Sequence, residues 1–124
     1  MKSDITKRKD IELLVNTFYQ KVRSNSTLGY IFQDVAKINW DNHLPRMYSF
    51  WASILLGEHS FSGNPMQKHI ALSKLTEMKE KEFSEWLLLF TETVDELFKG
   101  EKANEAKQRA GNIARLMFHK IQTV

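Results

Sequence analysis

Apolar residues recur along this chain at intervals of three and four, and no stretch alternates apolar and polar residues for long enough to make a strand. That periodicity dictates an all-α fold, because only a helix brings every third or fourth side chain onto one face. Ile11, Leu14, Val15, Phe18 and Val22 form the first such stripe, in a helix expected to start near Thr6, a permissible N-cap, and to stop at "SNST". A short helical turn, "LGYIFQDV", follows. The stretch "NWDNHLPRMYSFWASILLGE" then reads as a long helix burying Met47, Phe50, Trp51, Ile54 and Leu55. Asn39, Asp41 or Asn42 can cap it, which puts Pro45 in or close to the first turn, and Gly57 is placed to end it.

"FSGNP" is a turn, and Asn64 followed by Pro65 opens a short helix, "PMQKHIAL". A long helix from about Lys79 to Lys99 carries Phe83, Trp86, Leu87, Phe90, Val94 and Leu97 inward and ends at Gly100. In the last helix, from about Lys102 to Gln122, Ala106, Ala110, Ile113, Met117 and Ile121 share one stripe. With 124 residues, no internal repeat and no linker-like tract, a single domain over residues 1–124 is expected.

Composition narrows the function classes. The 42% hydrophobic and 27% charged residues are ordinary for a folded globular chain and exclude a disordered one. No apolar run approaches the roughly 20 residues that span a bilayer, and "MKSDITKRKDIE" is too polar for a secretory signal, so a cytoplasmic protein without membrane attachment is expected. The net charge of +3 is spread through mixed runs such as "KEKEFSE" and "GEKANEAKQR", the pattern of a solvated helical surface and not of a nucleic-acid footprint. With no cysteine, disulfides, thiolate nucleophiles and cysteine-ligated metals are excluded. Any metal must be held by histidine or carboxylates, or arrive inside a cofactor.

Two histidines stand out by context. His43 lies at the start of the long helix, at the edge of its apolar face, and His69 lies on the short helix that a turn joins to it, beside Met66, Ile70 and Leu72. Two elements joined in this way can face each other across a cleft about as wide as a flat cofactor. On residue types alone a lone histidine is more often a structural side chain than a ligand. A zinc site has little support, since the pair lacks the i, i+4 spacing of a helical metal site and no third ligand is near in sequence. Neither a glycine-flanked serine nor a phosphate-cradling glycine pattern occurs. A cofactor needing one axial imidazole, aromatic walls and a few polar groups fits what is left.

Four strings, "FYQKVRSNSTLGYIF", "HLPRMYSFWASILLG", "MQKHIAL" and "EFSEWLLLF", occur in the order and at spacings that resemble a truncated haemoglobin of the third group, and the similarity runs over nearly the whole chain. That resemblance implies a globin shortened to a two-over-two helical sandwich around haem b, iron protoporphyrin IX. His69 matches the proximal histidine, the axial ligand of the iron, and Phe32 the phenylalanine on the haem face. On the distal side it implies Tyr19, His43 and Trp86 as donors toward a bound ligand, with Met47 filling the apolar part of the pocket. Tyr19 is singled out independently: with Phe18 already inward, the phenol next to it belongs at the margin of the core. Arg46 and Lys68 are candidates to pair with the haem propionates. The chain lacks the paired-glycine motifs of other truncated groups, in keeping with the third, and its methionine at the pocket position leaves the distal volume undefined.

The implied function is binding of O2 and other diatomic ligands such as CO and NO, for ligand or redox chemistry such as nitric oxide or peroxide handling more than oxygen transport. A separate reductase would serve as partner, and a monomer is expected. The competing reading is a cofactor-free helical interaction module whose aromatic residues are simply core.

Overall fold

A computed structural model describes residues 2–29, 40–58 and 80–123, with side chains to residue 116. The described residues contain four helices: α1 (Arg8–Ser24), α2 (Trp40–Leu56), α3 (Glu80–Leu97) and α4 (Glu101–Thr123). The expected helices starting near Thr6, Asn39, Lys79 and Lys102 correspond to these within a residue or two. The "LGYIFQDV" turn from Tyr30 onward and the short "PMQKHIAL" helix lie outside the described residues.

Helix α1 packs on α2 and on α3, α3 packs along α4, and α2 touches α4, so one pair of helices lies over the other. The stripes read from the sequence form the core. Ile11, Leu14, Val15, Phe18 and Val22 of α1 meet Trp51, Ala52 and Leu55 of α2, Phe90 and Val94 of α3, and Ala103, Ala106 and Ala110 of α4. The three alanines give α4 a thin face against its neighbours. Thr93, fully buried on α3, keeps its hydroxyl satisfied by donating to the Leu89 carbonyl at 2.7 Å.

Local chemistry sets the helix ends. Asp10 Oδ2 accepts from the Thr6 and Lys7 backbone N–H groups at 2.9 and 3.2 Å, so the first turn of α1 is closed by a carboxylate inside it, with Lys7 and not Thr6 at the N-cap. The stop at "SNST" is made by Asn25, whose Oδ1 accepts from Thr27 N and Leu28 N at 2.8 and 3.0 Å while its Nδ2 donates to Glu85 on α3 at 2.9 Å. Gly57 ends α2 at φ +74°, as its position predicts.

Pro45 departs from expectation. Because α2 begins at Trp40, Pro45 stands in the second turn, inside the helix, and cannot donate to the Asp41 carbonyl four residues earlier. The sequence offered three possible caps between Asn39 and Asn42, and because Asp41 and Asn42 are already helical the proline is carried inward.

Side chains tie the pairs together. Arg8 donates to Glu58 at 2.8 Å and to Ser49 at 3.1 Å, joining the start of α1 to the end of α2. Lys21 reaches Glu96 and Glu92 of α3 at 2.6 and 3.2 Å, and those partners, the Glu96 hydrogen bond first, raise its pKa. The N-terminal arm closes the α3–α4 corner: Lys99 N–H donates to the Ser3 carbonyl at 3.1 Å, and Asp4 accepts from Lys102 N and Ala103 N at 2.9 Å each.

Candidate functional site

The site is built where α1, α2 and α3 converge. On α1 the residues Leu14, Val15, Phe18 and Tyr19 are all buried, so the stripe is two side chains wide and the adjacent Phe18 and Tyr19 both point inward. Tyr19 is only 7% exposed, deeper than the core margin expected of it. The reason is the width of the stripe: a helix pressed against two others buries a broader arc than one facing a single partner. Burial pushes the Tyr19 phenol well above its ordinary value, which keeps it a neutral O–H donor.

On α2, Trp40, His43 and Met47 follow at i, i+3 and i+7 and so share a face. His43 is half-buried, with its Nε2 shut off from solvent, and its ring lies edge-on to Tyr19 at a centroid distance of 5.2 Å and 81°. Met47 is half-buried and packs against the core. Arg46, its neighbour, is exposed.

On α3, Trp86 is half-buried and reaches the same cluster through Phe18. The Phe18 ring meets Tyr19 at 4.9 Å, Trp86 at 5.6 Å and Phe90 at 5.2 Å, all edge-to-face. Behind it, Phe90 stacks on both Trp51 and Trp86, at 4.7 and 5.7 Å with interplanar angles of 21° and 10°.

Of the residues chosen from the sequence, Tyr19 and His43 are therefore in direct ring contact, Trp86 joins them through Phe18, Met47 shares the His43 face, and Arg46 stands outside. Phe32, Lys68 and His69 lie outside the described residues. A residue the sequence analysis passed over is Trp40, whose ring meets Tyr19 at 5.4 Å and His43 at 5.7 Å. The available signal was its place three residues before His43, one turn along the same face.

Chemically, this is an apolar aromatic wall bearing hydrogen-bond donors: a phenol O–H, an imidazole N–H and an indole N–H. Among the described residues no group of three or more histidine, aspartate or glutamate side chains is placed to hold a bare metal ion. Such a wall suits a small neutral or partly anionic guest beside a large flat apolar one.

The family model described as bacterial-like globin matches residues 3–121. A group 3 truncated haemoglobin of Campylobacter jejuni is 34% identical over 117 residues, covering 92% of this chain and 90% of that one. The crystal structure of a group III truncated haemoglobin from Campylobacter jejuni superposes with a TM-score of 0.84 at 32% identity, covering 98% of this chain and 95% of that one. The α1/α2 pair over the α3/α4 pair is thus a truncated globin sandwich, the family implies haem-based binding of small ligands, and the chain belongs to the bacterial-like globins, among the truncated haemoglobins of the third group.

Proposed function

We propose that this globin holds haem b and binds O2, CO and NO in a polar distal pocket, for ligand or redox chemistry such as nitric oxide or peroxide handling more than for oxygen transport. The observation that carries the reading is the Tyr19–His43 ring pair, a neutral buried phenol set against an imidazole whose Nε2 is closed to solvent. The donor set fits the group: aromatic side chains supply an apolar wall, and Tyr19, His43 and Trp86 supply hydrogen-bond donors. His69 would hold the iron, Phe32 would pack on the haem face, Met47 would fill the pocket's apolar side, and Arg46 and Lys68 would pair with the propionates. When bound, the haem supplies an iron that takes up a diatomic ligand and exchanges electrons.

Donors aimed at a ligand whose outer atom carries partial negative charge slow its escape, which disfavours a freely releasing carrier. Turnover would then draw electrons from a separate reductase, with the globin acting as a monomeric, single-domain cytoplasmic protein. No helix among the described residues is long and apolar enough to cross a membrane.

The test is spectroscopic. Purified protein should absorb strongly near 400 nm, and His69→Gly should lose stable haem or recover it only with added imidazole. Full haem retention with an unchanged spectrum in His69→Gly would refute the axial role. A colourless wild-type protein that takes up no added haem would return the chain to a helical interaction module.

A further inference from the structure

Trp40, in the first turn of α2, takes part in a triangle of ring contacts. Its ring lies 5.4 Å from Tyr19 at 61° and 5.7 Å from His43 at 84°, while Tyr19 and His43 meet each other at 5.2 Å and 81°. Each of the three rings is thus held by the other two, all through edge contacts that the aromatic quadrupole favours. The fourth member is Arg23, in the last turn of α1, whose guanidinium carbon lies 4.9 Å from the Trp40 ring centre. Burial orders the set: Tyr19 is buried, Trp40 and His43 are half-buried, and Arg23 is exposed.

An imidazole at a helix edge has staggered χ1 alternatives, and some of them would carry its nitrogens to water. A neighbouring ring removes those alternatives by occupying the space and by rewarding the inward one. Arg23, anchored on a different helix, in turn holds Trp40 from the solvent side.

We propose that Trp40, held by Arg23, is a positioning residue that keeps the His43 imidazole turned inward against Tyr19. Its functional meaning rests on the proposed distal pocket, where it sets the fraction of time that His43 faces a bound ligand. The ring triangle itself can be tested without any ligand.

The test uses the full purified chain and diethyl pyrocarbonate, with modification at each histidine followed by peptide mass spectrometry. Trp40→Ala should speed modification of His43 about tenfold, the change in inward preference that loss of one aromatic edge contact and its cover converts to. Trp40→Phe, which keeps a ring, should stay near wild type, and Arg23→Gln should give a smaller rise. His59 and His119 should not change. An unchanged His43 rate in Trp40→Ala, or an equal rise at all histidines, overturns the proposal. Arg23→Gln alters only the surface, so the absence of any rise at His43 there also overturns it should Trp40→Ala fail to fold.

In the CO-bound protein, Trp40→Ala should add a second CO stretching band that Trp40→Phe lacks, and the effect should vanish in a His43→Leu background. Persistence of the second band in that background means that Trp40 does not act through His43. A protein that binds no haem gives no CO band and sinks the haem reading, whereas the histidine modification pattern still decides the role of Trp40.

Discussion

Tyr19 combines burial with a hydroxyl, and that combination has consequences at two pH regimes. Burial holds the phenol protonated in the folded protein above the ordinary tyrosine value. Ligand release governed by its O–H should therefore stay flat as pH is raised toward about 10, where a free tyrosine would ionise. Stability behaves differently. Beyond that pH the unfolded chain loses the Tyr19 proton and the folded chain keeps it, so this residue's contribution, whole at lower pH, declines as pH rises. Urea unfolding between pH 8 and 11 should show a decline that is shallower in Tyr19→Phe. For the proposed pocket, a hydrogen bond to a charged acceptor is worth about 1.5–3 kcal/mol, so Tyr19→Phe or Trp86→Phe should raise the O2 release rate roughly tenfold or more. CO, with less charge on its outer atom, should respond far less, and the double mutant should fall short of additivity because both donors serve one ligand. Stopped-flow release of both gases measures this, and equal effects on the two would indicate steric gating. The choice of Tyr19, His43 and Trp86 came from four short strings, and the structure brings Tyr19 and His43 into ring contact and joins Trp86 to them through Phe18. The depth of Tyr19 and the contact with Trp40 were not, because both arise from how three helices converge.

At the scale of the element, α4 begins in an unusual way. Gly100, at the position before its first residue, has no side chain to cap the helix, and the cap comes from Asp4. Burial opposes ionisation of that carboxyl, but the Lys102, Ala103 and Ile5 N–H donors and the Lys102 charge outweigh it and hold its pKa below the usual 3.8. Its contribution is thus present above the ordinary carboxylate range and lost as pH falls through the lower folded value. Asp4→Ala should cost about 1 kcal/mol at neutral pH, measured by urea unfolding, with the difference from wild type shrinking in strong acid. Gly100 has φ +149°, and a β-carbon there would lie 2.4 Å from the Asp4 carboxyl carbon. Gly100→Ala should therefore displace the arm and cost about 1–3 kcal/mol, more than loss of the cap alone. The sequence showed that a helix ends at Gly100 and another starts after it, since those are local signals. It could not show that a carboxylate 98 residues away supplies the cap, nor that Pro45 falls inside α2, where three candidate caps compete.

For the whole molecule, Phe90 is the hinge between core and site. Fully buried, it stacks on Trp51 in the core and on Trp86 at the site, with Phe18 edge-on. Phe90→Ala should cost about 3–5 kcal/mol by opening a cavity among these three aromatic rings, and circular dichroism during thermal unfolding would register it. Phe90→Leu, which refills most of that volume, should recover much of the loss. That the fold is all-α was readable from the apolar stripes, whereas the two-over-two arrangement was implied only by the resemblance that the four strings carry, because periodicity fixes which face of a helix is buried and not which helix covers it. The Asp4 cap carries a further consequence, in time and not in space. The ribosome releases Asp4 long before it makes Lys102 and Ala103, so a nascent chain holds this carboxylate idle while α1, α2 and α3 emerge. Helix α4 acquires its start only when Asp4 meets residues made about a hundred positions later, which makes closure of this corner a late event in biosynthesis and a point where a stalled chain would be left unfinished.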